Sequence, residues 1–227
     1  MNLGIVTSYI IAGVILLGIV MMNIRVQNSS AELTISQMNR QYVTDISDML
    51  NDDLSNMGYD VNRITRDPDT GQVRIMDCAQ ENRIRFYRNL CATDAECSDP
   101  SRIPERIEWR LLSEDEISTT NPAHRTLLRT VTEFDPETGD PLSENTQEIN
   151  VGVTQFSIEY YETVGSNING NVSVECGSNV TNIKQFKVTL EVQSSEKIYN
   201  RSVAEGRYIR SVWEKRFTPA NLQINSN

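Results

Sequence analysis

The apolar stretch from Leu3 to Met22 is the strongest constraint on this chain. It contains no charged residue, and its most polar members are Thr7, Ser8 and Tyr9. About twenty helical residues at ~1.5 Å each cover ~30 Å, the thickness of a bilayer's hydrocarbon core. No Lys or Arg precedes the stretch, it is longer than the apolar part of a secretory signal, and it ends in Met-Met, which Asn-Ile-Arg-Val-Gln follows. The sequence therefore predicts one retained membrane span.

The next stretch, Asn23 to Met57, contains neither proline nor glycine, and Gly58 follows where a helix C-cap belongs. Its apolar residues recur at steps of three and four, the period of an amphipathic helix. They are Ile35, Met38, Tyr42, Ile46, Met49, Leu50, Leu54 and Met57. A break is conceivable at Asn28-Ser29-Ser30; without one, a helix from the span to Ser55 would be ~80 Å long.

Beyond Gly58 the pattern changes to an alternation of polar and apolar residues, which is typical of strands. The predicted strands are Gln72 to Met76, Arg83 to Tyr87, Arg106 to Leu112, Thr126 to Phe134, Gly152 to Tyr161, Ile183 to Val192 and Arg207 to Phe217. One long helix followed by strands predicts an α+β fold, with the helix packed against a mainly antiparallel sheet. We therefore divide the chain into a helix (residues 1–57) and a β-rich head (residues 58–227).

The charge and the cysteines limit partners and compartment. A net charge of −10 argues against binding to nucleic acid. The four cysteines, Cys78, Cys91, Cys97 and Cys176, all follow the span, and an even number predicts disulfides in an oxidising compartment. We favour Cys91 with Cys97, which leaves Cys78 with Cys176; free thiols are the alternative. These positions predict an inner-membrane protein whose head lies in the periplasm or outside the cell.

The sequence offers little that could carry catalysis. The only histidine, His124, follows the turn Asn121-Pro122-Ala123 and is predicted to be solvated, so no Ser-His-Asp or Cys-His arrangement is evident. The turns at 67–71 and 135–139 repeat Asp-Pro-(Asp/Glu)-Thr-Gly, which can hold Ca²⁺ but is more often a plain type I turn. We predict no enzymatic activity, no catalytic residue, no cofactor or metal, and no small-molecule substrate.

Several segments, taken in order, resemble one family. They are Met49 to Tyr59 (MLNDDLSNMGY), Arg83 to Tyr87 with Arg106 to Leu111, Asn121-Pro122 with Leu127-Leu128-Arg129, Val151 to Tyr161 (VGVTQFSIEYY), Ile183 to Val192, and Lys215 to Leu222 (KRFTPANL). Together they resemble type IV pilins and type II secretion pseudopilins. The chain is most similar to the larger minor pilins and the J-type minor pseudopilin. In that family an apolar N-terminal helix continues as an amphipathic helix into a small sheet domain.

The resemblance implies a structural subunit of a cell-surface or secretion filament. Its partners would be the membrane and other pilin-like subunits, which it would contact through its N-terminal helix while priming, capping or joining the filament. The helix–helix contact residues we predict are Leu3, Ile10, Gly13, Leu17, Ile35, Met38, Tyr42, Ile46 and Met49. The alternative is a membrane-anchored binding or adhesion module that does not polymerise; a membrane-tethered enzyme is the weakest of the three readings.

One position departs from the family pattern. The family usually has glutamate at the fifth mature position, where Ile5 stands here, or Tyr9 if cleavage follows Gly4. The first glutamate of this chain is Glu32. The departure would suit a subunit at a filament tip, and equally a chain that is not processed.

Overall fold

A single helix, α1 (Leu3–Ser55), begins the fold and continues without interruption through Asn28-Ser29-Ser30. The computed structural model describes residues 3–58, 75–88, 105–113, 120–134, 140–162, 176–177, 183–200, 203–219 and 222. The helix ends where the sequence predicts. Gly58 follows with a φ of 66°, a conformation that glycine adopts without strain, and its N–H donates to the carbonyl oxygen of Tyr87 at 2.8 Å.

Nine strands follow the helix within the described residues. They are β1 (Met76–Gln80), β2 (Arg83–Arg88), β3 (Glu105–Leu111), β4 (Arg125–Phe134), β5 (Pro141–Tyr161), β6 (Gln185–Gln193), β7 (Ile198–Asn200), β8 (Val203–Arg207) and β9 (Arg210–Phe217). Seven of them form one antiparallel sheet in the order β1-β2-β3-β4-β5-β6-β9, and β7 pairs with β8. The sheet curls, so that β5 meets the turn between β1 and β2. The Ile158 N–H of β5 donates to the Glu81 carbonyl oxygen in that turn at 2.7 Å. The predicted α+β fold is confirmed.

The long strand β5 pairs with a different strand along each half of its length. Pro141 to Ile149 pairs with β4, and Val153 to Tyr161 pairs with β6. The β4 register shifts between Arg125 and Leu127, so β5 carries extra residues at this point. Gly152 lies among them with a φ of 84°. The sequence predicted only the second half of β5, because Pro141 to Glu148 is exposed on both faces and lacks an apolar alternation.

The core lies between α1 and the inner face of the sheet. The helix contributes Val43, Ile46, Leu50 and Leu54, and the turn after it contributes Met57; α1 packs mainly over β6 and β9. The sheet contributes its large inward-facing side chains, namely Ile84, Phe86, Ile107, Trp109, Leu127, Phe156, Ile158, Phe186, Val188, Leu190 and Phe217. Packing of the helix stripe on the sheet, as predicted, is therefore what the structure shows.

The predicted strand boundaries need two corrections. The first strand begins at Met76 and runs to Gln80, beyond its predicted end, while residues 72–74 lie outside the described part. The last begins at Arg210, because Arg207 closes the β7–β8 hairpin, whose strands are too short to show a period in the sequence.

Cys78 and Cys176 form a disulfide, which confirms that predicted pair. Cys91, Cys97 and both Asp-Pro turns lie outside the described residues.

Candidate assembly surface and helix–head junction

The first part of α1 stands clear of the head. Every residue from Gly4 to Ala31 is exposed, and we call these residues the protruding segment. Its large apolar side chains are Ile5, Val6, Tyr9, Ile10, Ile11, Val14, Ile15, Leu16, Leu17, Ile19, Val20, Met21, Met22, Ile24 and Val26. Helix α1 is long and apolar enough to cross a membrane, which indicates single-pass anchoring. Such a surface is stable only when lipid or other apolar side chains cover it.

Glycines give the protruding segment places for close contact. A Cβ added to Gly4, Gly13 or Gly18 would meet no atom within 4 Å. The space beside these glycines is open in the single chain, so the backbone of another helix can approach it closely.

The residues predicted for helix–helix contact fall into three environments. Leu3 is the first residue of α1, and Ile10, Gly13 and Leu17 are exposed on the protruding segment. Nearer the head, Met38 is 49% exposed. Ile10, Gly13, Leu17 and Met38 are therefore accessible to a neighbouring helix.

The remaining predicted contact residues lie against the head. Ile35, Tyr42 and Met49 are half-buried, and Ile46 is fully buried in the core. The same face of α1 that has an apolar period therefore packs on the sheet of its own chain. While the head is docked, Ile46 has no surface to offer another subunit.

A buried carboxylate fixes the end of α1 to the sheet. Asp53 is 1% exposed, and each of three adjacent strands donates to it. Arg129 of β4 binds both oxygens, with Nε 2.7 Å from Oδ2 and Nη2 2.8 Å from Oδ1. Arg88 Nη1 of β2 lies 2.9 Å from Oδ1, and Trp109 Nε1 of β3 lies 2.8 Å from Oδ2. We call these four residues the junction cluster.

The electrostatics of the junction cluster explain why a carboxylate is tolerated there. The C-terminal end of a helix carries partial negative charge, which disfavours an aspartate. Two guanidinium groups offset this effect, and the bond to Asp53, the largest influence, raises the pKa of Arg129. The cluster thus ties the helix end to β2, β3 and β4, whereas the apolar stripe packs on β6 and β9.

The apolar period of the helix does not include Asp53, so the sequence pattern did not single it out. Its spacing gives a different signal, because it follows Leu50 by three residues and precedes Met57 by four. An acidic residue at a position on the apolar stripe indicates a buried partner. The identity of that partner, two arginines from distant strands, has no signature in the sequence.

Further polar contacts, spread along the length of α1, join the helix to the head. Asn39 Nδ2 donates to the Ile209 carbonyl oxygen at 2.9 Å, and Lys215 Nζ donates to Asn51 Oδ1 at 2.8 Å. Nearest the protruding segment, Arg207 Nη2 lies 2.7 Å from Glu32 Oε1 in an exposed ion pair. Together with the junction cluster, these contacts hold the helix to the head from Glu32 to Asp53.

Two grooves lie along the docked helix. One, of about 490 Å³, is lined by Ser29, Glu32, Leu33, Ser36 and by residues 207–210. The other, of about 350 Å³, is lined by Ile35, Met38, Asn39 and Tyr42 on the helix and by His124, residues 150–152 and residues 193–196 on the head.

The prediction of a solvated His124 is wrong. The residue is 4% exposed, because β5 and the end of β6 close over it. Its Nε2 lies 3.2 Å from the Gln193 carbonyl oxygen, and a Cβ added to Gly152 would overlap that oxygen and approach Nε2 to 3.2 Å. The Asn121-Pro122-Ala123 turn does precede it, but its imidazole points inward.

Within the described ranges, no group of three or more His, Cys, Asp or Glu side chains is placed to hold a metal ion. Comparisons of the chain with protein families, with curated proteins and with solved structures give no match in any of the three.

Proposed function

We propose that this chain is a non-enzymatic structural subunit of a type IV filament-like assembly, a minor pilin or pseudopilin that primes, caps or joins the filament. The observation that carries the proposal is the protruding segment, an exposed apolar helix that continues unbroken into the docked half of α1. Lipid can cover this surface in the membrane, and neighbouring helices of the same kind can cover it in a filament.

The rigid connection between span and head favours assembly over simple anchoring. A flexible linker would suffice to tether a domain to a membrane. Here one helix runs from the span through Asn39 to Asp53, and the contacts between Glu32 and Asp53 hold the head against it. A fixed position of the head relative to the span is what a repeating filament needs. The Cys78–Cys176 disulfide supports a head that lies in the periplasm or outside the cell.

Bulk added at Gly13 tests the proposal. Gly13→Leu adds a side chain where the single chain has open space, so it leaves the monomer intact and obstructs a close helix neighbour. Ala12→Leu adds bulk 100° around the helix and serves as the control. With a photo-cross-linking residue at position 10, we expect cross-links in native membranes to the spans of other pilin-like subunits. These cross-links should be lost in Gly13→Leu and kept in Ala12→Leu. A chain that stays monomeric, or equal cross-linking in both variants, would overturn the proposal.

The alternative, a membrane-anchored binding or adhesion module, is favoured by one feature of the head. Residues Pro141 to Glu148 of β5 are exposed on both faces of the sheet, and Leu142 is 66% exposed. Substituting Leu142 with Ser tests it. Loss of surface attachment without any change in the cross-links from position 10 would support the adhesion module as an added role, and attachment without any cross-links would make it the only role.

A further inference from the structure

His124 lines the groove between α1 and the head, beside β5 and the end of β6. We call this contact line the seam; it comprises His124 before β4, Gly152 of β5, Gln193 at the end of β6, Ser194 after it, and Asn39 of α1. Because a carbonyl oxygen cannot donate, the 3.2 Å contact to Gln193 requires the proton of the neutral ring to be on Nε2. The other nitrogen, Nδ1, is buried and has no hydrogen-bond partner among the described residues. A Cβ at position 152 would lie 3.2 Å from Nε2, so a glycine at this position gives the ring its space beside β5.

Hydrogen bonds connect the residues around His124 to the helix. Asn121 Nδ2 donates to the Ser194 carbonyl oxygen at 3.1 Å, and Ser194 Oγ accepts the Ile209 N–H at 3.0 Å. The Ile209 carbonyl oxygen in turn accepts Asn39 Nδ2 of α1 at 2.9 Å. A displacement of Gln193 and Ser194 therefore loosens the contact that holds this part of the helix.

None of the charged groups described around the seam accepts a hydrogen bond from Nδ1 of the His124 ring. Arg125 of β4 donates to the His124 carbonyl oxygen at 2.7 Å and adds positive charge. Glu191 of β6 accepts Gln193 Nε2 at 2.6 Å and faces Arg210 of β9 at 3.9 Å. Glu196 and, on α1, Tyr42 line the groove. Burial lowers the pKa of His124, although the Gln193 and Ser194 carbonyls act in the opposite direction.

The geometry points to an acid-sensitive seam, in which a proton on His124 Nδ1 separates the head from the Asn39 region of α1. The added proton makes both ring nitrogens donors, and Nδ1 has no acceptor within the described part of the chain. Opening along the groove of about 350 Å³ exposes the ring to water, which accepts the second hydrogen bond. This inference does not rest on the proposed function.

The stability of the closed seam should fall as the pH falls, because the pKa of His124 is lower in the closed state than in the open one. A neutral, buried His124 contributes to closure of the seam above its ordinary pKa, and this contribution is lost as the pH falls through the lowered value. The chain has a single histidine, so no other side chain with an ordinary pKa titrates between pH 5 and 7. The rise in the open population between pH 7 and pH 5 is at most about 25-fold, the limit for a ring that titrates normally when open and not at all when closed.

Hydrogen–deuterium exchange of the full chain in nanodiscs tests the inference. After correction for intrinsic exchange rates, we expect peptides from residues 35–43 to lose protection at pH 5, while residues 50–57, held by the junction cluster, do not. In His124→Gln, which can donate to Gln193 but cannot take a proton, protection should not depend on pH. Equal loss in His124→Gln, or no loss in the wild type, would overturn the inference.

A second measurement applies even if His124→Gln does not fold. The ring of the only histidine gives one set of labelled NMR signals, and their titration reports its pKa directly. A pKa below that of free histidine, with Asn39 side-chain signals changing over the same pH range, is expected. A pKa equal to or above the free value would overturn the inference.

Discussion

At Asp53, one side chain decides where the end of the helix meets the sheet. Four hydrogen bonds from Arg88, Trp109 and Arg129 satisfy a carboxylate that is almost fully buried. A buried ion pair often adds little net stability relative to an apolar replacement, but removing one partner is costly, because the other charge is left uncompensated. The junction cluster therefore specifies the position of the helix more than it adds to the stability of the fold.

Asp53→Asn should destabilise the head by about 1.5–3 kcal/mol, since the half-buried Arg129 loses its bidentate partner while Arg88 keeps Glu105 at 3.4 Å. Asp52→Asn is the control, because Asp52 has a side chain that is 68% exposed and lies 3.5 Å from the same Arg88. We expect that control to cost less than about 1 kcal/mol. Denaturant unfolding of the full chain, followed by tryptophan fluorescence, measures both. Equal effects would show that the cluster has no special role.

Gly152→Ala should destabilise the head by more than backbone strain alone explains. Gly177 also has a positive φ, 99°, but its Cβ would meet nothing within 4 Å. Gly177→Ala thus measures the cost of the conformation, about 1–3 kcal/mol. Gly152→Ala adds an overlap with the Gln193 carbonyl oxygen, so its free energy of unfolding should fall further. Equal losses in the two variants would contradict this account.

At the scale of elements, one part of the surface of α1 packs on the sheet of its own head and another part is exposed. Ile46 is buried against the sheet, whereas Leu33, thirteen residues earlier on the same helix, is exposed. Ile46→Ala should cost about 2–5 kcal/mol through the lost apolar contacts and the cavity left behind. Leu33→Ala should leave the stability of the head unchanged. Thermal unfolding of the two variants compares them, and a large loss in Leu33→Ala would contradict the separation of the two surfaces.

The sequence predicted the elements with a clear period and missed those without one. Helix α1 ends at Ser55 as predicted, and β2, β3, β4 and β6 lie within two residues of their predicted bounds. The sequence did not predict the first half of β5, because its side chains are exposed on both faces of the sheet. Backbone pairing with β4 and surface hydrogen bonds such as Ser143 Oγ to Glu133 Oε2 hold it. His124 was misplaced for the opposite reason, because a turn sequence does not reveal which strands will fold over it.

At the scale of the whole molecule, the two halves of α1 should differ in their importance for folding. Removing residues 1–28 should leave the melting temperature of the head nearly unchanged, because these residues are exposed throughout the described part. Removing residues 1–57 should prevent folding. It takes away five core side chains, each worth about 1.5–3 kcal/mol, which together match a typical total stability. Circular dichroism melting distinguishes the outcomes, and a folded head without residues 1–57 would be contrary evidence.

The Cys78–Cys176 disulfide should contribute strongly to the stability of the head. Its cysteines are 98 residues apart, and closing a loop of that size stabilises by about 4–5 kcal/mol in the chain-entropy model. The double substitution to serine should therefore lower the melting temperature by roughly 10–20 °C for a head of this size. A fall of only a few degrees would mean that the unfolded chain is already restricted by other means.

The sequence by itself determined the span, the amphipathic continuation and the α+β class. Each follows from local periodicity or from residue type, which are properties of neighbouring residues. The Cys78–Cys176 pair was one of the pairings that four cysteines allow, and the tertiary structure decided it. Only the tertiary structure decided that Ile46 packs on its own head, that Asp53 is held by Arg88, Trp109 and Arg129, and that His124 is enclosed by Gly152 and Gln193. These contacts join residues tens of positions apart, and their partners are chosen by strand order and register, which no local pattern encodes.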